Sequence, residues 1–400
     1  MNKKIIGVAI AVLAILGAVF YFGRDAEKSN VVTFYGWGGD PRVNEWIDNE
    51  LSSYAKENYG IEVVRVPMNI DEILTKLTNE KGSGKSGSID VIWINGENFY
   101  YAKQYELLHG PFLNKIENAG KYIDLEGPAA TVDFGYPTEG YEAPWGKAQF
   151  VFVNNGSLLP EPPLNSAELK KFVTNNPGVF TYPEAKDFVG SAFIRTIIYD
   201  MVGYENIKDL PADYDAVREA VMPAMEYLNE IKPYLWKEGK TYPKDSAQLD
   251  GLYQDGEVYI TMDYNANKAL SKVNDGGWDL STRTFVWENG TPFNTHYLAI
   301  ASNAPNMENA LKLIDAALSP AMQISKSDLK GWGDLPVLEY EKLSDMDKSK
   351  LDEALTPSEE LKDAILTYDE LSEHKQPEIK ADLVTIIEKV WEDVVLFEKQ

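Results

Sequence analysis

The sequence predicts an α/β protein of two domains, and three observations carry that expectation. A β-branched run, Val31-Val32-Thr33-Phe34, enters a glycine-rich turn, Tyr35-Gly36-Trp37-Gly38-Gly39-Asp40-Pro41, and Val43, Trp46, Ile47, Leu51 and Tyr54 follow at helical spacing. A later run, Ile89-Asp90-Val91-Ile92-Trp93-Ile94, is apolar almost throughout, as a central parallel strand buried on both faces should be. And 400 residues are too many for one small core.

In the opening unit Asp40 suits the N-cap of the helix, and Pro41 suits its first turn, where a missing N–H costs nothing. Open α/β sheets bind ligands outside the carboxyl ends of their strands, which is where this turn lies. Trp37, set among glycines, has room either to present its face to a guest or to pack inward under a tight turn. A nucleotide fingerprint is excluded, because the third glycine of GxGxxG would fall at Pro41.

Composition removes several function classes. There is no cysteine, hence no disulfide, thiolate metal site, cysteine nucleophile or lipid-bearing cysteine. His109, His296 and His374 are far apart and show no HExxH spacing, so no metal or other cofactor is expected. A net charge of −25 with scattered Lys and Arg argues against nucleic acid and favours cations. Ahead of the first strand, Lys3-Lys4 precedes an uncharged apolar run from Ile5 to Phe22. That pattern predicts export, with residues 1–30 serving as a signal sequence or a membrane anchor. At about 1.5 Å per residue the run reaches roughly 27 Å, enough for an anchor on the outer face of the membrane.

Along the chain, Ile61 to Val66 reads as a second strand, and Ile70, Ile73, Leu74 and Leu77 mark a helix. Lys81 to Ser88 imitates a phosphate loop, but position 79 is Asn where the motif needs glycine, and a strand follows instead of a helix. The strand at 89–94 ends in Asn95-Gly96-Glu97-Asn98, polar groups that either line a crevice beside the Trp37 loop or cap the next helix. Tyr136 to Gly146 is aromatic and turn-rich, and it leads into the strand from Ala148 to Val153. Trp145 and Gln149 therefore fall at an expected crossover between domains, where clefts form. A strand is expected at Gly178 to Tyr182, and a helix from Phe188 whose Gly190 and Ser191 expose backbone N–H groups. Glu257 to Met262 ends on Asp263-Tyr264-Asn265, a third edge for the cleft. Thr295 to Ile300 is a strand, Gly331-Trp332-Gly333-Asp334 echoes the opening loop, and Leu383, Ile386, Ile387, Val390 and Val394 form the stripe of a docked terminal helix.

These blocks, in this order, resemble the extracellular solute-binding proteins that feed ABC importers. The similarity is greatest to their YnjB-type branch, through Trp37-Gly38-Gly39-Asp40, Asp90 to Phe99, Pro144-Trp145-Gly146, Tyr182-Pro183 with Asp187-Phe188, Tyr234-Leu235-Trp236, Ala299 to Asn306 and Trp332-Gly333-Asp334. The resemblance implies a type II periplasmic-binding-protein fold, with two α/β lobes made of discontinuous segments and joined by a hinge. By analogy one lobe is 31–147 with 295–322, and the other is 148–294 with 323–400. It further implies a monomer that closes on a small-molecule solute and docks a membrane permease, with no nucleic-acid partner. Binding residues are expected among Trp37, Gly38, Gly39, Asp40, Asn95, Glu97, Asn98, Trp145, Gln149, Ser191, Asp263, Tyr264, Asn265 and Trp332. Aromatic faces beside carboxylates suit a cationic or aromatic solute of the thiamine or polyamine kind. An enzyme is not expected: the thiaminases of this fold use a cysteine that this chain lacks, and nothing demands that Glu97 and Asp263 act as acid and base. A sensor read by a membrane receptor has the same sequence signature as an importer subunit.

Overall fold

The computed structural model describes residues 30–397, so the apolar run expected to direct export lies outside the described residues. Within them no helix is long and apolar enough to cross a membrane. The described residues form twelve strands: β1 (Val31–Gly36), β2 (Glu62–Pro67), β3 (Val91–Ile94), β4 (Leu108–His109), β5 (Val132–Asp133), β6 (Tyr136–Pro137), β7 (Glu142–Gln149), β8 (Val151–Asn155), β9 (Ile260–Asp263), β10 (Thr282–Phe285), β11 (Thr291–Ala301) and β12 (Lys375–Pro377).

The larger sheet runs β12-β11-β3-β1-β2, with β4 and β7 also paired to β11. β1 lies parallel to both β2 and β3, and β11 runs antiparallel to β3 and β7. The apolar character of β1 and β3 has a direct cause: successive side chains enter opposite layers, and both layers are covered. Phe34 and Val91 enter one core cluster, and Tyr35 and Ile92 enter the other.

The smaller sheet, β10-β8-β9, is antiparallel. Its core is built with the helices Phe188–Met201, Tyr214–Ile231 and Ala381–Trp391. The chain leaves the larger sheet at the end of β7, passes Phe150 and continues directly into β8; it returns between β10 and β11. The two passages lie side by side, because the N–H of Phe150 donates to the carbonyl of Pro292 at 2.8 Å.

One expectation shifts. Gly178 to Tyr182 does not form a strand: Gly178 turns the chain with φ 90°, and the carbonyls of Val179 and Phe180 accept from the N–H groups of Tyr259 and Trp236 at 2.9 and 2.8 Å. The segment after residue 322 is shared by both cores. Trp332, Val337, Leu338, Leu343 and Leu351 pack with the larger sheet, while Ile379 to Val395 pack with the smaller.

Candidate functional site

The opening loop forms one rim. Trp37 is 52% exposed, and its indole lies across Gly39, where an added Cβ would stand 2.3 Å from the ring. A Cβ on Gly38 would fall 2.5 Å from Pro67. The Asp40 carboxylate accepts the Arg42 N–H at 2.8 Å, so it is engaged in capping the helix. Arg42 then reaches across to Asp275 at 2.7 Å and to the carbonyls of Ser271 and Gly331, joining the helix Lys268–Asn274 of the other core to this rim.

Trp145 and Trp332 do not stand at an open wall. Both are buried with Trp46, Trp93 and His296 in one aromatic cluster; Trp93 meets Trp145 edge-on at 5.1 Å, and His296 stacks on Trp332. Burial of so much ring surface outweighs the turn chemistry that flanks these residues. Gln149 is likewise internal and donates to Thr291 Oγ1 (3.2 Å) and to the His374 carbonyl (2.9 Å), which ties β7 to β11 and the start of β12. Asp263 pairs with Lys268 at 2.5 Å and accepts the Asn265 N–H, and the Asn265 side chain accepts the Asn267 N–H. These two shape the loop after β9. Asn95 heads the helix Gly96–Gln104 without a side-chain capping bond; the Gly96 N–H goes instead to Asp133 at 2.5 Å.

Four of the expected residues, Glu97, Asn98, Ser191 and Tyr264, converge where the two cores meet. Their centre is Arg195, on the helix Phe188–Met201 and fully buried. Its guanidinium donates through Nε to Glu378 Oε2 (2.9 Å), through Nη2 to Glu378 Oε1 (3.3 Å) and the Tyr264 hydroxyl (3.1 Å), and through Nη1 to Ser191 Oγ (2.6 Å). Tyr264 donates to Glu378 at 2.5 Å, and Ser191 donates to Glu388 at 2.6 Å. From the other side, Glu97 accepts from Asn98 Nδ2 at 3.2 Å through Oε1, while its Oε2 is shut off from solvent with no hydrogen-bond partner. Phe188 packs on Tyr264 at 4.7 Å and lines the same junction.

The electrostatics are those of excess acid. Arg195 and Glu378 neutralise one another; burial opposes the guanidinium charge, but Glu378 more than offsets it. Burial raises the Glu97 carboxyl and pushes Glu388 up to about 7, with Glu97 itself adding to the shift. Asp133, next in line, is held well above the usual carboxylate range by burial and by Glu97. Among the described residues, no group of three or more His, Asp or Glu is arranged to hold a metal ion.

Arg195, Glu378 and Glu388 were not among the expected site residues. Arg195 carries a legible signal, as a lone Arg in an otherwise apolar helix, four residues after Ser191. Glu388 sits inside the terminal apolar stripe. Glu378 carries no local signal, because only the pairing of β12 with β11 brings it in.

A raised carboxyl pKa means that the folded chain holds its proton more tightly than the unfolded one. The Glu388 contribution to stability is therefore complete below the ordinary value of 4.5 and is lost as pH rises through about 7. The expected result is that Glu388→Gln nearly matches the parent at pH 5 and is more stable at pH 8, by roughly 3 kcal/mol at most. Parallel urea titrations at the two pH values check it; equal differences at both would remove Glu388 from the pH response.

Two α/β cores joined by two adjacent passages give the fold class of the periplasmic binding proteins. The chain belongs to the bacterial extracellular solute-binding protein family, whose model matches residues 51–357. It is 33% identical over 333 residues to protein YnjB of Escherichia coli strain K12, covering 82% of this chain and 84% of that one. Its fold matches the spermidine/putrescine ABC transporter substrate-binding protein PotD of Streptococcus pneumoniae, with a TM-score of 0.65, 17% identity and 93% and 100% of the two chains covered. The TpPotD lipoprotein of Treponema pallidum matches with a TM-score of 0.66 at 14% identity, over 91% of this chain and 99% of that one. Members of this family are transport proteins that bind solutes for ABC permeases, not enzymes.

Proposed function

We propose that this chain captures a small organic cation by closing its two cores over the junction at Arg195, and presents the closed form to an ABC importer. The observation that carries the reading is the charge count at that junction: Glu97, Glu378 and Glu388 face one guanidinium, and Glu97 Oε2 is unpaired. A cation entering there meets the acid excess, with Phe188 and Tyr264 offering aromatic faces worth about 0.5–2 kcal/mol each. The two passages between the sheets, β7 into β8 and β10 into β11, serve as the hinge of a type II two-lobed protein, and the Arg42–Asp275 pair holds the closed rim. The protein acts as a monomer at the outer face of the membrane, directed there by its apolar N-terminal run.

A thermal-shift screen tests this. Thiamine and its phosphates, polyamines, amino acids, sugars and phosphonates are compared at rising concentration. A cation is expected to raise the melting temperature progressively, by the equivalent of about 2.7 kcal/mol at one hundred times its dissociation constant. Stabilisation by a sugar or an anion alone would overturn the reading.

A further inference from the structure

We propose that the solute recognised at this junction carries an ammonium group with N–H hydrogens, which donates to the unpaired Oε2 of Glu97 and is held from the other core by Glu388. The inference rests on the cation reading above and narrows it, separating primary and secondary amines from quaternary and thiazolium cations.

Three observations support it. Glu97 Oε1 is already served by Asn98, whereas Oε2 is sealed from water and lacks a donor, so the protein leaves one acceptor for a guest to satisfy. Arg195 spends four of its five N–H donors on Glu378, Ser191 and Tyr264, and none of these bonds goes to Glu97. Glu388 is oriented by the Ser191 hydroxyl, and it comes from the terminal helix that packs against the helix carrying Glu97. An ammonium donating to both carboxylates would fasten the two helices together, which couples recognition to closure.

The charged groups around the pair fix the proton balance. Glu97 is faced by Asn98, Arg195, Glu378 and Asp133. Glu388 is faced by Ser191, Glu97, Arg195 and Glu392, and Glu392 is itself paired with Lys186. Among these neighbours no cation is left over for Glu97 and Glu388 together, so without a guest the pair retains a proton near neutral pH. A protonated amine displaces it, and capture releases a proton to the medium.

The test is isothermal titration of the full exported chain with putrescine and with propylamine, each against its N-permethylated counterpart, at pH 7 in phosphate and in Tris. The N–H forms are expected to bind at least about tenfold more tightly than the permethylated forms, because the latter leave Glu97 Oε2 unpaired. The observed enthalpy is expected to differ between the buffers by the heat of the released proton. Glu97→Gln is expected to abolish the preference and reduce the proton release; Glu388→Gln tests the opposite arm in case the first variant alters the fold. Equal affinity for permethylated cations, a preference that survives in both variants, or no proton release overturns the proposal while leaving the cation reading in place. Binding of no amine at millimolar concentration overturns both.

Discussion

Arg195→Met is expected to destabilise the protein by roughly 3–5 kcal/mol, because it strands Glu378 in a buried site without its bidentate partner. The side chain lost is fully buried, so solvent does not screen the effect. Three neighbours are affected at once: Glu378 loses its counter-charge, Ser191 loses a donor to its oxygen, and Tyr264 loses the guanidinium beside its hydroxyl. Arg195→Met combined with Glu378→Leu should recover much of the loss, since an apolar pair in place of a buried ion pair is often neutral. Urea unfolding of the two variants checks this; a loss under about 1 kcal/mol for the single variant would show that Glu378 finds another partner.

Gly146→Ala is the second substitution with a large expected effect. Gly146 sits on β7 opposite His296, beside the register shift between His296 and Tyr297. A Cβ there would lie 1.9 Å from His296 Nε2 and 2.1 Å from Asp334 Oδ2. Those atoms cannot yield cheaply. Asp334 holds His296 at 2.9 Å and is also bonded to Lys326, which is fully buried and donates to the Trp145 carbonyl at 2.5 Å. The surrounding Trp46, Trp93, Trp145 and Trp332 rings fill the remaining space. One methyl therefore breaks a buried charge network or displaces a packed tryptophan, and a loss of more than about 3 kcal/mol is expected, with a changed near-ultraviolet signal from the indoles. Gly251→Ala, in the helix Ser246–Gln254 where an added Cβ meets nothing within 4 Å, is the matched control and should stabilise by up to about 1 kcal/mol.

The elements legible in the sequence are those whose signals are local. The β1 run, the glycine turn and its Asp40-Pro41 helix start form as the residue pattern implies, since strand alternation, capping and a proline at the first helical position act within a few residues. The helix Phe188–Met201, the strand at β11 and the docked terminal helix follow their apolar periodicities in the same way. Where an expected strand failed, at Gly178 to Tyr182, the stretch has the right residues but lacks a ladder partner along its length. Strand formation is a property of pairs, and the second member lies elsewhere in the chain.

The candidate site at Arg195 was legible only in its polar ends. Glu97, Asn98, Ser191 and Tyr264 could be singled out because each follows a strand or starts a helix, where side chains emerge at a cleft. Trp145, at the expected crossover, and Trp332, in a loop that echoes the opening turn, looked equally eligible, yet they pack inward. A tryptophan beside glycines has the freedom to point either way, and that choice is made by whichever apolar surface is within reach after the chain has folded. The sequence alone determined an acidic, cysteine-free α/β protein and its family resemblance. Only the tertiary structure decided that Arg195, Glu378 and Glu388 meet Glu97, because they lie on segments far apart in the chain and are brought together by the return of the tail through β12 to both cores. Local chemistry writes elements into a sequence; the balance of buried charge arises from long-range contacts, which no short window of residues contains.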